Sequence, residues 1–210
     1  MKTSTLLLTP FILSAALLTS CKNPADETTD ATVTDAQTEL KGNGTRFTFL
    51  KSSTIGFTGS KVTGSHDGGF KEFSGHFMMS GDSDVPTAGE FTIQMASTWS
   101  DSEKLTGHLK NSDFFDVETF STSTFKLTNA SKTGENAYDI SGNLTLHGVE
   151  KNITFPVTAS RSGDNASFTA EFDINRKDFG IVYAGKTDDL IRDEVIIRLN
   201  FQAAAEMPKG

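Results

Sequence analysis

The chain has 210 residues, of which 19 are basic and 27 acidic, a net charge of −8, and one cysteine. That length fits one domain, or two. A single cysteine rules out an internal disulfide, so an apolar core must supply the stability. An acidic chain without a basic cluster argues against nucleic acid and against electrostatic adhesion to anionic lipid.

The first twenty residues stand apart. Lys2 gives a short positive start, and an apolar run follows from Leu6 to Leu18, interrupted only by Thr9, Pro10 and Ser14. This is the charged start and apolar centre of a secretory signal peptide, and it is too short to be read as a membrane span. Leu18-Thr19-Ser20-Cys21 comes next. It resembles the bacterial lipoprotein processing box, which implies a diacylglyceryl group on the Cys21 thiol and cleavage just before it. The alternative is an ordinary signal peptide followed by an unpaired thiol. One acyl chain binds a membrane only marginally, whereas two or three at one residue hold firmly. Cleavage before Cys21 removes Lys2 and leaves 18 basic against 27 acidic residues. The acyl anchor would then carry the membrane attachment.

Residues 21–43 read as the lipidated cysteine and an acidic tether. From Lys22 to Asn43 there are five acids, two lysines and no aromatic residue. So little apolar surface does not offset ordering entropy, and the expectation is a disordered segment. A flexible chain of that length spans roughly 25 Å.

From Gly44 onward the dominant period is two, the mark of half-buried strands. Early strands are predicted at about 45–50, 54–63 and 68–80. The third has a fault, since Phe70 and Phe73 are three apart; a bulge near 71–73 would restore both to one face. Phe91, Ile93, Met95 and Trp99 share a face in the next. Ser100-Asp-Ser-Glu103 then fits a helix capping box, with Leu105 and Leu109 one turn apart and Phe114, Phe115 and Phe120 beyond, which predicts a short helical insert on a barrel end. A strand near 122–129 carries Phe125 and Leu127. Tyr138, Ile140, Leu144 and Leu146 alternate with polar residues, as do Ile153, Phe155 and Val157 against Asn152 and Thr154, then Phe168, Ala170, Phe172 and Ile174; the last strand sets Val195, Ile197, Leu199 and Phe201 on one face. About nine short strands of this kind indicate a sandwich or closed barrel. Sixteen of the seventeen phenylalanines lie in this part. Such a surplus suits either a wide apolar cavity or a filled core.

Motifs for chemistry are few. Residues 180–187 match the P-loop pattern by letter, but their centre is Ile181-Val182-Tyr183, Asp188 and Asp189 follow, and a strand pattern comes next where a helix should open. The four histidines, His66, His76, His108 and His147, lack the close spacing of a metal pair. No Gly-x-Ser-x-Gly elbow is present. Asp82-Ser-Asp84 lacks the glycine and terminal glutamate of a calcium loop. Five Asn-x-Ser/Thr triplets begin at Asn43, Asn129, Asn143, Asn152 and Asn165, and they have no clear meaning in a bacterial protein. Arg176 is the most informative charge. Strand parity aims it toward the apolar side, where an unpaired guanidinium is costly. It is expected at a barrel mouth, paired with Asp178, Asp113 or Asp116, or facing a ligand head group.

Several segments together resemble the YceI-like family of exported lipid-binding proteins. Gly68-Gly-Phe70-Lys-Glu-Phe73-Ser-Gly75 is similar to its early strand, and His108-Leu109-Lys-Asn-Ser-Asp113-Phe114-Phe115-Asp116-Val117 to its helix-to-strand signature. Gly142-Asn-Leu144-Thr-Leu-His147-Gly148-Val149 resembles its hairpin, and Asn175-Arg176-Lys-Asp178-Phe179-Gly180 its closing motif. Thr124-Phe125 fits the next strand, although Ser121 replaces a proline common in the family. The resemblance covers about Phe47 to Phe201. It implies an all-β fold for residues 44–210: an extended, antiparallel, lipocalin-like β-barrel with a short helical insert. It also implies an apolar pore for an isoprenoid or similar long-chain amphiphile, no catalytic constellation, no cofactor and no metal. The lining expected from strand parity is Phe91, Ile93, Met95, Phe125, Leu127, Leu144, Leu146, Phe155, Phe168, Phe172, Ile197 and Leu199. Arg176, Asp178, His108 and Asp113 are expected at a polar mouth. Together with Cys21, this predicts a barrel anchored to a membrane of the cell envelope, in the periplasm. A filled-core stress or interaction protein is the main alternative, and a small-molecule enzyme using His108, His147 or Arg176 is a further one.

Overall fold

The computed structural model describes residues 23–206 apart from Asp82 and Asp188. The expected signal peptide and Cys21 lie outside the described residues.

Among the described residues thirteen strands are formed: β1 (Thr32–Asp35), β2 (Thr45–Phe49), β3 (Thr54–Lys61), β4 (Gly64–Phe70), β5 (Phe73–Met79), β6 (Pro86–Gln94), β7 (Thr98–Ser100), β8 (Thr122–Lys132), β9 (Ala137–Leu146), β10 (Val149–Ser162), β11 (Asn165–Asn175), β12 (Gly185–Lys186) and β13 (Asp189–Ala205). One α-helix, α1 (Glu103–Leu109), interrupts them. Strands β10, β9, β8, β6, β5, β2, β13 and β11 pair in that order, and β11 returns to β10. The result is a closed, antiparallel, lipocalin-like barrel of eight strands.

Closure is complete at only one end. β10 pairs with β11 over Thr158–Ser162 and then separates from it. β13 pairs with β2 over Ala203–Ala205, but with β3 over Ile191–Asn200. At the narrow end, Phe47, Phe77, Met79, Ala166 and Ala203 fill the interior, with Phe47 and Phe77 stacked at 5.2 Å. At the splayed end, β3, β4 and β7 continue the wall on one side.

The other gap is filled by the segment expected to be a disordered tether. β1 pairs with β10, setting Val33 opposite Ile153. Asp30 bridges Asp173 on β11, Ala31 N–H donates to the Asp173 carbonyl, and Asp173 N–H donates to the Thr29 carbonyl. Composition is a poor guide here because only Ala31 and Val33 pack on the main core and much of the attachment is through backbone pairing. Two barrel strands leave backbone groups unpaired, and the segment supplies partners. Its path continues across the outer face, where Leu40 N–H donates to the Leu127 carbonyl and Gly42 N–H to that of Thr87.

Outward-facing polar residues are consequently buried beneath it. Asn143 Oδ1 accepts from Gln37 N–H at 3.0 Å, and Asn143 Nδ2 donates to the Gln37 carbonyl at 2.7 Å. Asn152 Nδ2 donates to Asn143 Oδ1 and to Thr128 Oγ1. Two of the five Asn-x-Ser/Thr asparagines are therefore interior. Asp173 alternates with the inward Phe172 and Ile174, yet only 3% of it is exposed, because the segment covers it. Burial pushes its carboxyl above the usual range, against the lowering effect of a hydrogen bond from Thr28 Oγ1.

Other local readings are corrected. No bulge joins 68–80; the chain leaves β4 at Phe70 and enters β5 at Phe73, changing neighbours from β3 to β2. Trp99 does not share the inward face of Phe91, because a 3-10 turn at Met95–Ser97 breaks the phase and leaves its ring partly exposed. Ser102 caps α1, accepting from Leu105 N–H, while Ser100 Oγ donates to the Ser102 carbonyl. Residues 180–187 form a loop and the short β12, and no helix follows.

Asn143→Ala removes both bonds to Gln37 and the buried acceptor of the Asn152 amide. It should cost about 1–3 kcal/mol and raise amide exchange selectively in residues 30–42. The same exchange rate in the variant as in the parent would contradict this role. Asp173 gives a second prediction. Its raised carboxyl contributes stability that is full below the unfolded-state value and is lost as pH rises through the folded-state value. Asp173→Asn, which keeps the acceptor for Thr28, should raise the melting temperature at neutral pH and flatten its pH dependence.

Candidate functional site: an apolar cavity in the splayed end

Residues of nine strands and α1 surround a cavity of about 390 Å³ in the splayed half. That lies within the range of ordinary ligand pockets, about 300–1,000 Å³. Ten of the twelve expected lining residues face it: Phe91, Ile93, Met95, Phe125, Leu144, Leu146, Phe155, Phe172, Ile197 and Leu199. Leu127 and Phe168 instead border a smaller chamber of about 80 Å³ toward the narrow end. Phe91, Phe125, Phe155 and Leu199 border both chambers. Phe91 and Phe125 are direct neighbours across β6 and β8, stacked at 5.1 Å. Phe155 and Phe172 stack at 4.1 Å.

Gly142 makes room for this arrangement. The Phe125 ring lies across it, and a Cβ there would come within 2.2 Å of the ring. Sequence reasoning missed Phe57, Phe70, Leu105, Phe115 and Ile174. Phe57 and Phe70 line the cavity from the flap formed by β3, β4 and β7, and Leu105 and Phe115 from the helical insert, where period two gives no parity. Ile174 was legible, being in phase with Phe172.

Polar groups gather at one rim. Lys61, His66, Lys186 and Asp189 come from the β3–β4 and β12–β13 hairpins. Lys61 Nζ pairs with the Asp189 carboxylate. His66 Nδ1 lies 2.7 Å from Asp101, and that bond holds the Asp101 carboxyl below its ordinary range. His108 also borders the cavity and pairs with Asp113 at 2.9 Å.

Arg176 borders the cavity with 3% of its surface exposed. Its partner is neither Asp178, which points to solvent, nor Asp113 or Asp116. Nε donates to the Arg192 carbonyl at 3.1 Å, Nη1 to that of Ile181 at 2.6 Å, and Nη2 to Ile191 and to Asp193 Oδ1 at 3.1 Å. The guanidinium is committed to joining the 3-10 turn after β11 (Arg176–Phe179) to the start of β13. It closes the barrel end and leaves little to offer a ligand. His147 takes a turn position with φ 51°, followed by Gly148 at φ 74°, and its ring packs on Phe120 away from the cavity. The three candidate catalytic groups do not converge. Among the described residues, no cluster of three or more metal-ligating side chains forms.

The family model of the YceI-like domain matches residues 49–203. The chain belongs to the YceI-like family. A UPF0312 protein of Pseudomonas putida is 35% identical over 59% of this chain and 68% of its own length. BcnA of Burkholderia cenocepacia has a similar structure, with a TM-score of 0.66, 25% identity, and coverage of 72% of this chain and 96% of BcnA. A polyisoprenoid binding domain from Saccharophagus degradans, implicated in plant cell wall breakdown, shares the fold at a TM-score of 0.63 and 17% identity, covering 77% of this chain and 98% of that domain. The segment 23–43 that fills the barrel gap lies outside the YceI-like match.

Arg176→Met removes four hydrogen bonds and leaves several buried carbonyls and Asp193 without that donor. It should destabilise the barrel by about 3–5 kcal/mol. Arg176→Lys should recover only part of that, because an ammonium does not reproduce the planar fork. Denaturant unfolding measures both, and a loss below about 1 kcal/mol in Arg176→Met would contradict the closing role.

Proposed function

We propose that this protein is a membrane-anchored lipoprotein of the cell envelope that holds the hydrocarbon chain of an isoprenoid or similar long-chain amphiphile inside its barrel. The observation that carries the reading is the cavity itself, walled mainly by phenylalanine, isoleucine and leucine and open at a rim that bears polar groups. A chain inside and a polar head at the rim match that division. Each methylene taken from water contributes about 0.8 kcal/mol, so a long tail binds without many polar contacts. The Saccharophagus degradans domain of the same fold supports the isoprenoid class. The lipoprotein part rests on the Leu18-Thr19-Ser20-Cys21 sequence and places the barrel in the periplasm. An open cavity speaks against the filled-core alternative, and the placement of His147 outside the cavity together with the commitment of Arg176 to protein acceptors speaks against an enzyme.

Native mass spectrometry of protein purified without detergent should show a bound species of long-chain amphiphile mass, recoverable by solvent extraction. Leu144→Trp fills the cavity from β9 and should reduce that occupancy at least tenfold while the melting temperature stays near that of the parent. A repeatedly empty barrel, or unaltered occupancy in Leu144→Trp, would count against the reading.

A further inference from the structure

The rim of the cavity carries exposed apolar side chains. Val62 is 50% exposed in the β3–β4 turn, Leu190 50% at the start of β13, and Val182 65% in the loop after the Arg176 turn. They come from separate parts of the chain but share one end of the barrel. Val62 N–H donates to the Leu190 carbonyl. Val182 follows Ile181, whose carbonyl is tied by Arg176 to the same stretch of β13. Leu40, Leu50 and Trp99 are also exposed, but Leu40 lies on the outer segment, Leu50 is bonded to Gln202 toward the narrow end, and Trp99 is on the flap. Lys186 stands exposed beside the rim residues. Among the described residues, the opposite end presents only the single exposed Leu50: its hairpins at 80–85 and 162–165 are polar, and Arg161 ties them together through the Gly81 and Ser83 carbonyls.

A second observation concerns where the described chain begins. Asn23 Nδ2 donates to Glu194 Oε2 at 3.2 Å, and Ala25 is buried. Thr28 and Asp30 hold the next turn to Asp173. Asn23 is therefore held beside residues 191–195, at the rim end. Cys21 precedes it by two residues, a covalent reach of at most about 7 Å.

We infer that the open end of the barrel docks on a phospholipid bilayer, with Val62, Val182 and Leu190 entering the lipid surface and the cavity mouth facing it. Exposed apolar groups clustered at one site mark contact with a membrane or partner. The proposed acyl anchor at Cys21, two residues before Asn23 in the sequence, selects the membrane. The inference builds on the proposed lipid anchor and gives it a direction: the segment after the anchor acts as a bracket that turns the mouth toward the bilayer. A chain leaving the membrane then enters the cavity without crossing water.

The test uses the chain from Cys21 onward, which contains the whole described barrel. Its only thiol is coupled to a maleimide phospholipid in vesicles of phosphatidylethanolamine with some phosphatidylglycerol. Chemical coupling makes the result independent of lipidation in the cell, and docking is read without reference to cavity occupancy, so failure here leaves the carrier reading standing. Amide exchange should slow several-fold at 61–63 and 181–191 relative to the uncoupled protein and stay unchanged at 80–85 and 162–165. Val62→Asp, Val182→Asp and Leu190→Asp combined should abolish that protection with the circular dichroism unaltered. Protection of both ends alike, of neither, or protection that persists in the aspartate variant would overturn the inference.

Discussion

Much of this structure follows from two pairs of barrel strands that part company. β10 leaves β11, and β13 outlasts β2. Each parting exposes a row of backbone donors and acceptors, and such rows must find partners or water. The chain answers once with the β3–β4–β7 flap and once with the N-terminal segment. Splaying is also what widens the barrel: the narrow end is packed by Phe47 and Phe77, whereas the splayed end leaves a cavity lined by rings that do not meet across it. Closure with extra chain and a wide interior are two results of one geometry.

The same geometry accounts for where polarity is allowed. Asp173, Asn143 and Asn152 project outward from their strands and would be ordinary surface residues on a plain barrel. Covered by the N-terminal segment, each is buried and must be satisfied, and each is bonded to that segment or to another member of the network. Inside, Arg176 is tolerated because three backbone carbonyls and Asp193 meet it. Away from the polar rim the wall is mainly apolar, which suits a hydrocarbon occupant.

The strands were legible where one face is buried. Phe168 to Ile174 and Val195 to Phe201 alternate cleanly because the barrel has one dry side. Ten lining residues follow from that parity alone. The N-terminal segment was not legible, because Thr-Val-Thr-Asp carries no apolar signal and its bonds are to backbone edges that exist only after the barrel closes. Trp99 was misplaced because three residues of 3-10 turn shift the phase, which alternation does not reveal. The burial of Arg176 was readable from parity, but its partner was not: Asp193 lies seventeen residues away on the facing strand, and the nearer Asp178 points to water. Leu127 and Phe168 were correctly inward, but parity gives no position along the barrel axis, and they fall beyond the aromatic partition.

The central claim is that a long apolar chain lies inside the barrel. Photocrosslinking with a polyprenol bearing a diazirine along its chain, followed by peptide mapping, locates that chain directly. The account predicts adducts on inward residues of the splayed half, such as Phe91, Phe125, Leu144 and Phe172. Adducts confined to the outward residues Thr92, Lys126 and Glu171, or spread evenly over both faces, would contradict it.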